Sequence, residues 1–191
     1  MKKPSNRRSE VRAQARASES PLEQGKQPLQ RRELKFLGVF VLVFLALEVL
    51  FVVLLAPSLF FQQYLALSAG LAASLLELAG QSASAHGITL SGELGAVTIK
   101  RGCDGLQPAA LFVSAVVAFP ASLRAKLAGA LVGVLAILCV NVLRIATLYM
   151  LLPLGESSFN AAHTAYWPMA ILVVSVGLWM AWARVALKGA V

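Results

Sequence analysis

Blocks of apolar residues, most of them about as long as a helix that crosses a bilayer, constrain this chain more than any other feature. They cover residues 34–56, 105–119, 127–151 and 166–187 of a 191-residue chain that is 58% hydrophobic. A soluble domain is about 45–50% apolar, and a membrane-crossing helix needs roughly 20 apolar residues. The sequence therefore predicts an all-α polytopic membrane protein with four to five transmembrane helices.

The segments between these blocks are less apolar. Residues 60–80 are diluted by Gln and Ser, which leaves an interfacial helix on the outer face, a re-entrant helix or a weak span open. Ile88, Leu90, Val97 and Ile99 are spaced for two short strands, and residues 91–95 supply the turn, so a small β-hairpin is predicted on the outer face. Residues 153–165 are predicted to be a polar loop.

The basic residues are concentrated where they indicate topology. Ten of them, against four acidic residues, lie between Met1 and Lys35, directly before the first apolar block. We interpret residues 1–33 as a disordered basic cytoplasmic tail that meets membrane lipid, rather than as a nucleic-acid-binding arm. Residues 34–191 are predicted to form a single transmembrane domain.

Lys and Arg in the short loops set the predicted orientation. We expect two pairs of basic residues on the cytoplasmic side of the membrane: Arg124 and Lys126 in the loop at 121–126, and Arg184 and Lys188 near the carboxyl terminus. Four full spans with residues 60–80 on the outer side satisfy these constraints. If residues 60–80 crossed fully, the loop at 121–126 would instead lie outside.

In this topology three reactive side chains lie at similar depth near the outer face of the cell inner membrane, facing the periplasm: Cys103, Arg144 and His163. Taken singly, each has an ordinary explanation, as a small buried hydrophobe, a snorkelling cation and a solvated loop residue. Together, a thiol near a helix start, a cation and an imidazole can carry out acyl transfer. Asn141, on the same helix face as Arg144, makes that face polar, and Glu48 in the first span is a candidate ion partner of Arg144.

Several other chemistries have no residues to support them. There is no His-Glu-x-x-His motif, so no metal site is predicted, and Asp104 is the only aspartate, so a pair of catalytic aspartates is excluded. Gly-x-Ser-x-Gly is absent as well. No cofactor is expected. Cys139 is interpreted as a small buried hydrophobe without a disulfide, and His86 as structural or incidental.

Three short motifs resemble those of the exosortase/archaeosortase family: residues 101–106 (Arg-Gly-Cys-Asp-Gly-Leu), residues 141–145 (Asn-Val-Leu-Arg-Ile) and Ala162-His163 before the last apolar block. The resemblance extends from about Leu34 to the end of that block and is greatest to the exosortase H type, which is paired with short Pro-Thr-Leu-type sorting tails. Family members commonly carry Ser or Asn after the cysteine, where this chain has Asp104, an acid expected to raise the pKa of the thiol.

The resemblance implies a membrane-embedded cysteine transpeptidase or protease that cleaves exported proteins at a carboxy-terminal sorting signal, made of a short motif, a transmembrane helix and a basic cluster. Cys103 would form a thioester, His163 would shuttle the proton, and Arg144 would steady the oxyanion or orient the thiolate. An unidentified acceptor amine would then resolve the acyl-enzyme. The predicted substrate-binding residues are Asn141, Asp104, Gly105 and Glu48.

Two alternatives remain open on the sequence alone. One is an intramembrane cysteine protease that uses water in place of the acceptor amine. The other is a non-catalytic membrane transporter or assembly factor, in which Glu48, Asn141 and Arg144 form a polar intramembrane network. Cys103 discriminates between the classes, because a transporter would tolerate its replacement by Ser.

Overall fold

The computed structural model describes residues 31–188, apart from the side chain of Arg32. The predicted tail therefore lies outside the described residues except for its last three, which begin the first helix. The chain divides into two compact units. The first unit ends at Phe36, and the second begins at Leu37. The α-helices and strands in chain order are α1 Arg31–Leu50, α2 Leu59–Leu78, β1 Ala83–His86, β2 Thr89–Gly92, β3 Gly95–Thr98, α3 Leu106–Ala118, α4 Leu123–Met150, α5 Glu156–Ala161 and α6 Trp167–Lys188.

Helices α3, α4 and α6 pack around one apolar cluster. Its buried members are Ala109, Phe112 and Val116 of α3, Ile137 of α4 and Ile171 of α6. Glycines on α4 admit aromatic rings from the two neighbouring helices, since a Cβ atom at Gly133 would lie 2.1 Å from the Phe112 ring and one at Gly129 would lie 2.0 Å from Nε1 of Trp182. The three helices are therefore held at a separation that these glycines set.

In the part of the chain that the structure describes, four helical segments are long and apolar enough to cross a membrane: Glu33–Leu55, Leu59–Leu78, Leu123–Met150 and Glu156–Lys188. They confirm a helical polytopic membrane protein. The predicted short span at 105–119 is not among them, because α3 has 13 residues. At 1.5 Å per residue α3 is about 20 Å long, which is less than the thickness of a bilayer core.

The segment after α2 forms three antiparallel strands in the order β1-β2-β3, so the predicted two-stranded hairpin was incomplete. β1 was not predicted, because its residues, Ala83–His86, are small or polar and carry no large apolar side chain. The predicted turn is present between β2 and β3, where Gly92 pairs with Gly95. Gly95 has a φ of 128°, a backbone conformation that favours glycine.

Helix α2 packs against this sheet. Its small residues Ala69, Ala72 and Ala73 and its Leu76 are buried in one cluster with Leu90 and Ile99 of the strand segment, and with Ile145, Ala146 and Tyr149 near the end of α4. Although α2 is long enough to span a membrane, one face of it is covered by strands and by the end of α4. The interfacial position expected for residues 60–80 stays a prediction.

Residues 153–165 are helical, which corrects the predicted polar loop. A 3₁₀ turn, Leu152–Leu154, leads to α5, and a π-helical turn, Ala162–Tyr166, joins α5 to α6. The polar side chains that suggested a loop lie on an exposed helix instead. Pro168 accounts for the π turn, because proline has no N–H to donate to the carbonyl of Thr164 four residues earlier and its ring crowds that carbonyl.

Replacing Gly133 by Ala tests the packing of α3 on α4. We expect Gly133→Ala to lower the free energy of unfolding by about 1–3 kcal/mol, because the new methyl overlaps a buried ring. Gly177→Ala, on α6 with open space around it, is the matched control and should be neutral or stabilise by about 0.5–1 kcal/mol. Thermal unfolding of the detergent-solubilised chain measures both, and equal shifts in the two variants would contradict the packing described here.

Candidate active site

The three reactive side chains meet at one end of the helical bundle, where α3 begins, α4 ends and α6 begins. Cys103 lies three residues before α3, Arg144 lies in the last two turns of α4, and His163 is the second residue of the π-helical turn before α6. Since α3 and α6 run in the direction opposite to α4, the chain brings these residues together although they are far apart in sequence. The predicted convergence is present in the structure.

Cys103 and His163 form a direct contact. The Sγ atom of Cys103 lies 2.8 Å from Nε2 of His163. The imidazole stacks on the Phe159 ring one helical turn earlier, with ring centroids 5.9 Å apart and planes inclined by 6°. When the imidazole carries its proton on Nδ1, the thiol proton therefore has an acceptor within hydrogen-bond distance, and the stacking fixes the plane of the ring that receives it.

The Asp104 carboxylate holds the loop that carries Cys103. Asp104 is only 2% exposed. One of its oxygens accepts a hydrogen bond from the Gly102 N–H at 2.9 Å, and the other accepts one from the Leu106 N–H at 2.8 Å. The second bond satisfies the first N–H of α3. Asp104 was predicted to bind substrate, but its carboxylate is occupied by the chain's own backbone and shapes the loop instead.

Asn141 and Gly105 support the same loop from behind. The Asn141 Nδ2 atom donates to the Cys103 carbonyl at 3.0 Å, and Asn141 is 1% exposed. Gly105 has a φ of 77°, and a Cβ atom there would lie 2.9 Å from Cβ and Cγ of Asn141. Both were predicted to contact substrate, but they are packed against each other beneath Cys103. Their observed contacts therefore position the cysteine backbone.

The Arg144 guanidinium binds the backbone on both sides of the Cys–His pair. Its Nη1 atom donates to the Gly102 carbonyl at 3.5 Å and its Nη2 atom to the His163 carbonyl at 3.3 Å, and the side chain is 5% exposed. Within residues 31–188 no ion pair joins Arg144 to Glu48, which is half-exposed on α1. The predicted pairing is therefore wrong, because main-chain carbonyls take the place of the carboxylate.

Two aromatic residues of the site were missed in the sequence. The Tyr64 hydroxyl, on α2, donates to the Asp104 carbonyl and so joins α2 to the cysteine loop. Phe159 supports the imidazole, as described above. Both left a signal, because Tyr64 is a polar-tipped aromatic in an apolar stretch and Phe159 lies four residues before His163, the spacing of helix neighbours.

A cleft of about 510 Å³ opens beside the Cys–His pair. The strand β3 and the residues after it form one wall, and the ends of α4 and α5 form the other. The Arg101 guanidinium, at the rim, lies 5.6 Å from the centroid of the Phe51 ring in a cation–π contact.

No group of three or more His, Cys, Asp or Glu side chains in the described part of the chain could hold a metal ion. Cys139 is exposed on α4, which corrects its predicted burial, and neither cysteine is in a disulfide.

Burial raises the pKa of the Cys103 thiol above its ordinary value. The positive charge of Arg144 opposes this effect, and the negative charge of Asp104 adds to it. The direction agrees with the expectation that Asp104 disfavours the thiolate. Burial therefore favours the neutral thiol beside the imidazole, and the proton must move as the sulfur attacks.

The pH dependence of alkylation tests this assignment. In a Cys139→Ser background, the rate of Cys103 alkylation by iodoacetamide should rise with pH through a midpoint above that of free cysteine, since the thiolate is the reactive form. Arg144→Gln should move the midpoint to still higher pH, because it removes the charge that lowers the pKa. Lys126→Gln, which removes an equal charge at the start of α4, should leave it unchanged. A midpoint below that of free cysteine would overturn the assignment.

Removing the Asp104 carboxylate tests its structural role. Asp104→Ala leaves the N–H groups of Gly102 and Leu106 without their acceptor, and we expect it to destabilise the fold by about 1–3 kcal/mol. Asp104→Asn retains one acceptor oxygen and should cost less. Glu93→Ala, at an exposed turn, is the control. If Asp104→Ala unfolds at the same temperature as Glu93→Ala, the carboxylate does not hold the loop.

Comparison with known proteins identifies a family. The family model described as transmembrane exosortase (Exosortase_EpsH) matches residues 34–183, which is well over half of the chain. No curated protein and no solved structure matches. The matched range starts in α1 and ends in α6, so it contains every segment that forms the site. This chain is therefore a multi-pass membrane protein that belongs to the transmembrane exosortase family.

Proposed function

We propose that this chain is a cysteine transpeptidase that cleaves the carboxy-terminal sorting signal of exported proteins and transfers the new carboxyl end to an acceptor amine. The observation that carries the proposal is the 2.8 Å contact between Cys103 Sγ and His163 Nε2. Family membership supports it, and so does the cleft beside the pair, which offers a peptide access to the sulfur.

In the proposed acylation one proton moves, a carbon–sulfur bond forms and a carbon–nitrogen bond breaks. Cys103 Sγ attacks the scissile carbonyl carbon as Nε2 of His163 takes the thiol proton, giving a tetrahedral oxyanion. The carbon–nitrogen bond then breaks, the leaving amine takes the proton from the imidazolium, and a thioester to Cys103 remains. In the second half His163 deprotonates the acceptor amine, which displaces the thiolate, and the thiol is restored.

Arg144 assists this reaction chiefly by position and charge. Its two hydrogen bonds hold the Gly102 and His163 carbonyls, and with them the sulfur and the imidazole, in one arrangement. Its charge favours the thiolate that forms as the proton leaves. Of the two roles that the resemblance implies for Arg144, orienting the thiolate has the support of these contacts.

We propose an inner-membrane location with the site facing the periplasm. Arg124 and Lys126 lie at the start of α4, and the Cys–His pair lies near its end, 28 residues along. A helix of that length is about 42 Å long, more than a bilayer core. If the basic loop is cytoplasmic, the pair lies near the opposite surface, where exported proteins are accessible. The membrane would also hold the substrate helix and the enzyme in one plane, which raises their effective concentration.

Processing of a co-expressed substrate tests the proposal. The substrate is an exported protein from the same genome that ends in a Pro-Thr-Leu-type motif, one apolar helix and a basic cluster. We expect Cys103→Ala to abolish its cleavage and His163→Gln to slow cleavage by roughly 10²–10⁴-fold, the usual contribution of a general base. Cys139→Ser is the matched control, since that thiol is exposed on α4 away from the site, and should cleave at the wild-type rate.

Product mass separates transfer from hydrolysis. A product heavier than the hydrolysed fragment by the mass of the acceptor amine less one water supports the transpeptidase, whereas the hydrolysed fragment itself indicates a protease. Cleavage that survives Cys103→Ala would overturn both and favour the non-catalytic alternative.

A further inference from the structure

The free edge of β3 forms part of the wall of the cleft that contains Cys103 and His163. β3 is the last strand of the sheet, so only one of its edges is paired, with β2. Four consecutive residues from this edge line the cleft, Ala96, Val97, Thr98 and Ile99. In a strand, successive side chains point to opposite faces, so consecutive residues line one cleft when the backbone itself borders it.

The ladder between β2 and β3 identifies which backbone groups are free. The Ile99 N–H donates to the Ile88 carbonyl at 2.9 Å, so this pair is hydrogen-bonded. Hydrogen-bonded and non-hydrogen-bonded pairs alternate along antiparallel strands. The Thr89–Thr98 and Ser91–Ala96 pairs are therefore of the non-hydrogen-bonded type, and the N–H and C=O groups of Thr98 and Ala96 point away from β2.

Nothing else in the described part of the chain takes up these groups. Outside the ladder, no backbone hydrogen bond reaches Ala96 or Thr98, and both residues are exposed. An unpaired strand edge is a template for adding another strand. In this protein the template runs along the same cleft as the Cys–His pair, and only four residues lie between Thr98 and Cys103.

We propose that β3 binds the substrate main chain as an added strand, with hydrogen bonds from the substrate to the free groups of Ala96 and Thr98, and so delivers the scissile carbonyl to Cys103. This proposal rests on the proposed function and adds to it the way in which substrate is held. The occupant is an extended polypeptide segment, because only a main chain supplies N–H and C=O groups with the repeat of a strand. Recognition of this kind is largely indifferent to side chains.

A peptide electrophile with a methylation scan tests the pairing on the full chain in detergent, in a Cys139→Ser background. The probe is N-acetyl-tetra-alanyl chloromethyl ketone, whose methylene carbon bonds to Cys103 Sγ as chloride leaves and the thiol proton passes to His163. Four analogues each carry one N-methyl group, at successive alanines. Rates of Cys103 modification are measured by mass spectrometry.

We expect the effect of N-methylation on the rate of modification to alternate from one alanine of the probe to the next, with a period of two. N-methylation at alternate alanines should slow modification at least about fivefold, because each removes one main-chain hydrogen bond to β3. N-methylation at the intervening alanines, whose N–H groups point away from β3, should leave the rate within about twofold. Equal effects at all four positions, or no effect at any of them, would overturn the proposed pairing.

Proline variants test the same edge from the protein side. Thr98→Pro removes an N–H that points away from β2, a position at which an edge strand tolerates proline. It should lose at least about fivefold in the rate with the unmethylated peptide probe. Ala85→Pro is the matched control, because Ala85 pairs with Leu90, whose groups face β3, and its own N–H therefore lies on the opposite edge of the sheet. This variant should retain the rate.

Iodoacetamide, an electrophile without a peptide main chain, separates a failure of the proposed strand pairing from a failure of the proposed function. If alkylation of Cys103 by iodoacetamide falls in His163→Gln while the methylation scan lacks a period of two, the Cys–His pair is supported and the strand pairing is overturned. If iodoacetamide reacts equally in His163→Gln and in the parent chain, the proposed function is overturned. Should Thr98→Pro fail to fold, the methylation scan on the unaltered edge still decides the pairing.

Discussion

A buried guanidinium bonded to main-chain carbonyls is the interaction on which the rest of this structure depends. Taking the Arg144 charge out of water is costly, and the carbonyls of Gly102 and His163 offset part of that cost by accepting from Nη1 and Nη2. Those carbonyls come from segments 61 residues apart in the chain. The cost of burying the charge is therefore offset only when the cysteine loop, α4 and the start of α6 come together in one arrangement.

Around that arginine, the roles of the other polar groups differ from what their chemistry first suggests. Asp104 and Asn141 could each have faced a substrate, but both bind backbone of the cysteine loop. Tyr64 extends the same scheme to α2, and through α2 to the sheet. The loop is thus supported from below by α4 and from the side by α2. The sulfur and the imidazole both line the cleft.

Much of this structure could be predicted from the sequence because hydropathy determines where helices form in a membrane protein. The helical class, the convergence of Cys103, Arg144 and His163, and the family followed from it and from three short motifs. The errors came where local patterns are weak. β1 has no large apolar residue, and the polar surface of α5 has the composition of a loop. The partner of Arg144 was sought among side chains, whereas backbone carbonyls, which leave no mark in a sequence, accept its hydrogen bonds.

The π-helical turn at Ala162–Tyr166 has a consequence for how this site could vary. Such a turn holds one residue more than an α-helical turn, so it shifts the helical phase of everything before it by about 100° relative to everything after it. His163 lies within this turn, whereas Ile171 and Ser175 face the bundle from regular helix beyond it. A single-residue insertion or deletion in this turn would change the direction in which the imidazole points without changing the packing of α6. The length of this turn, as much as its composition, is therefore a variable on which selection could act.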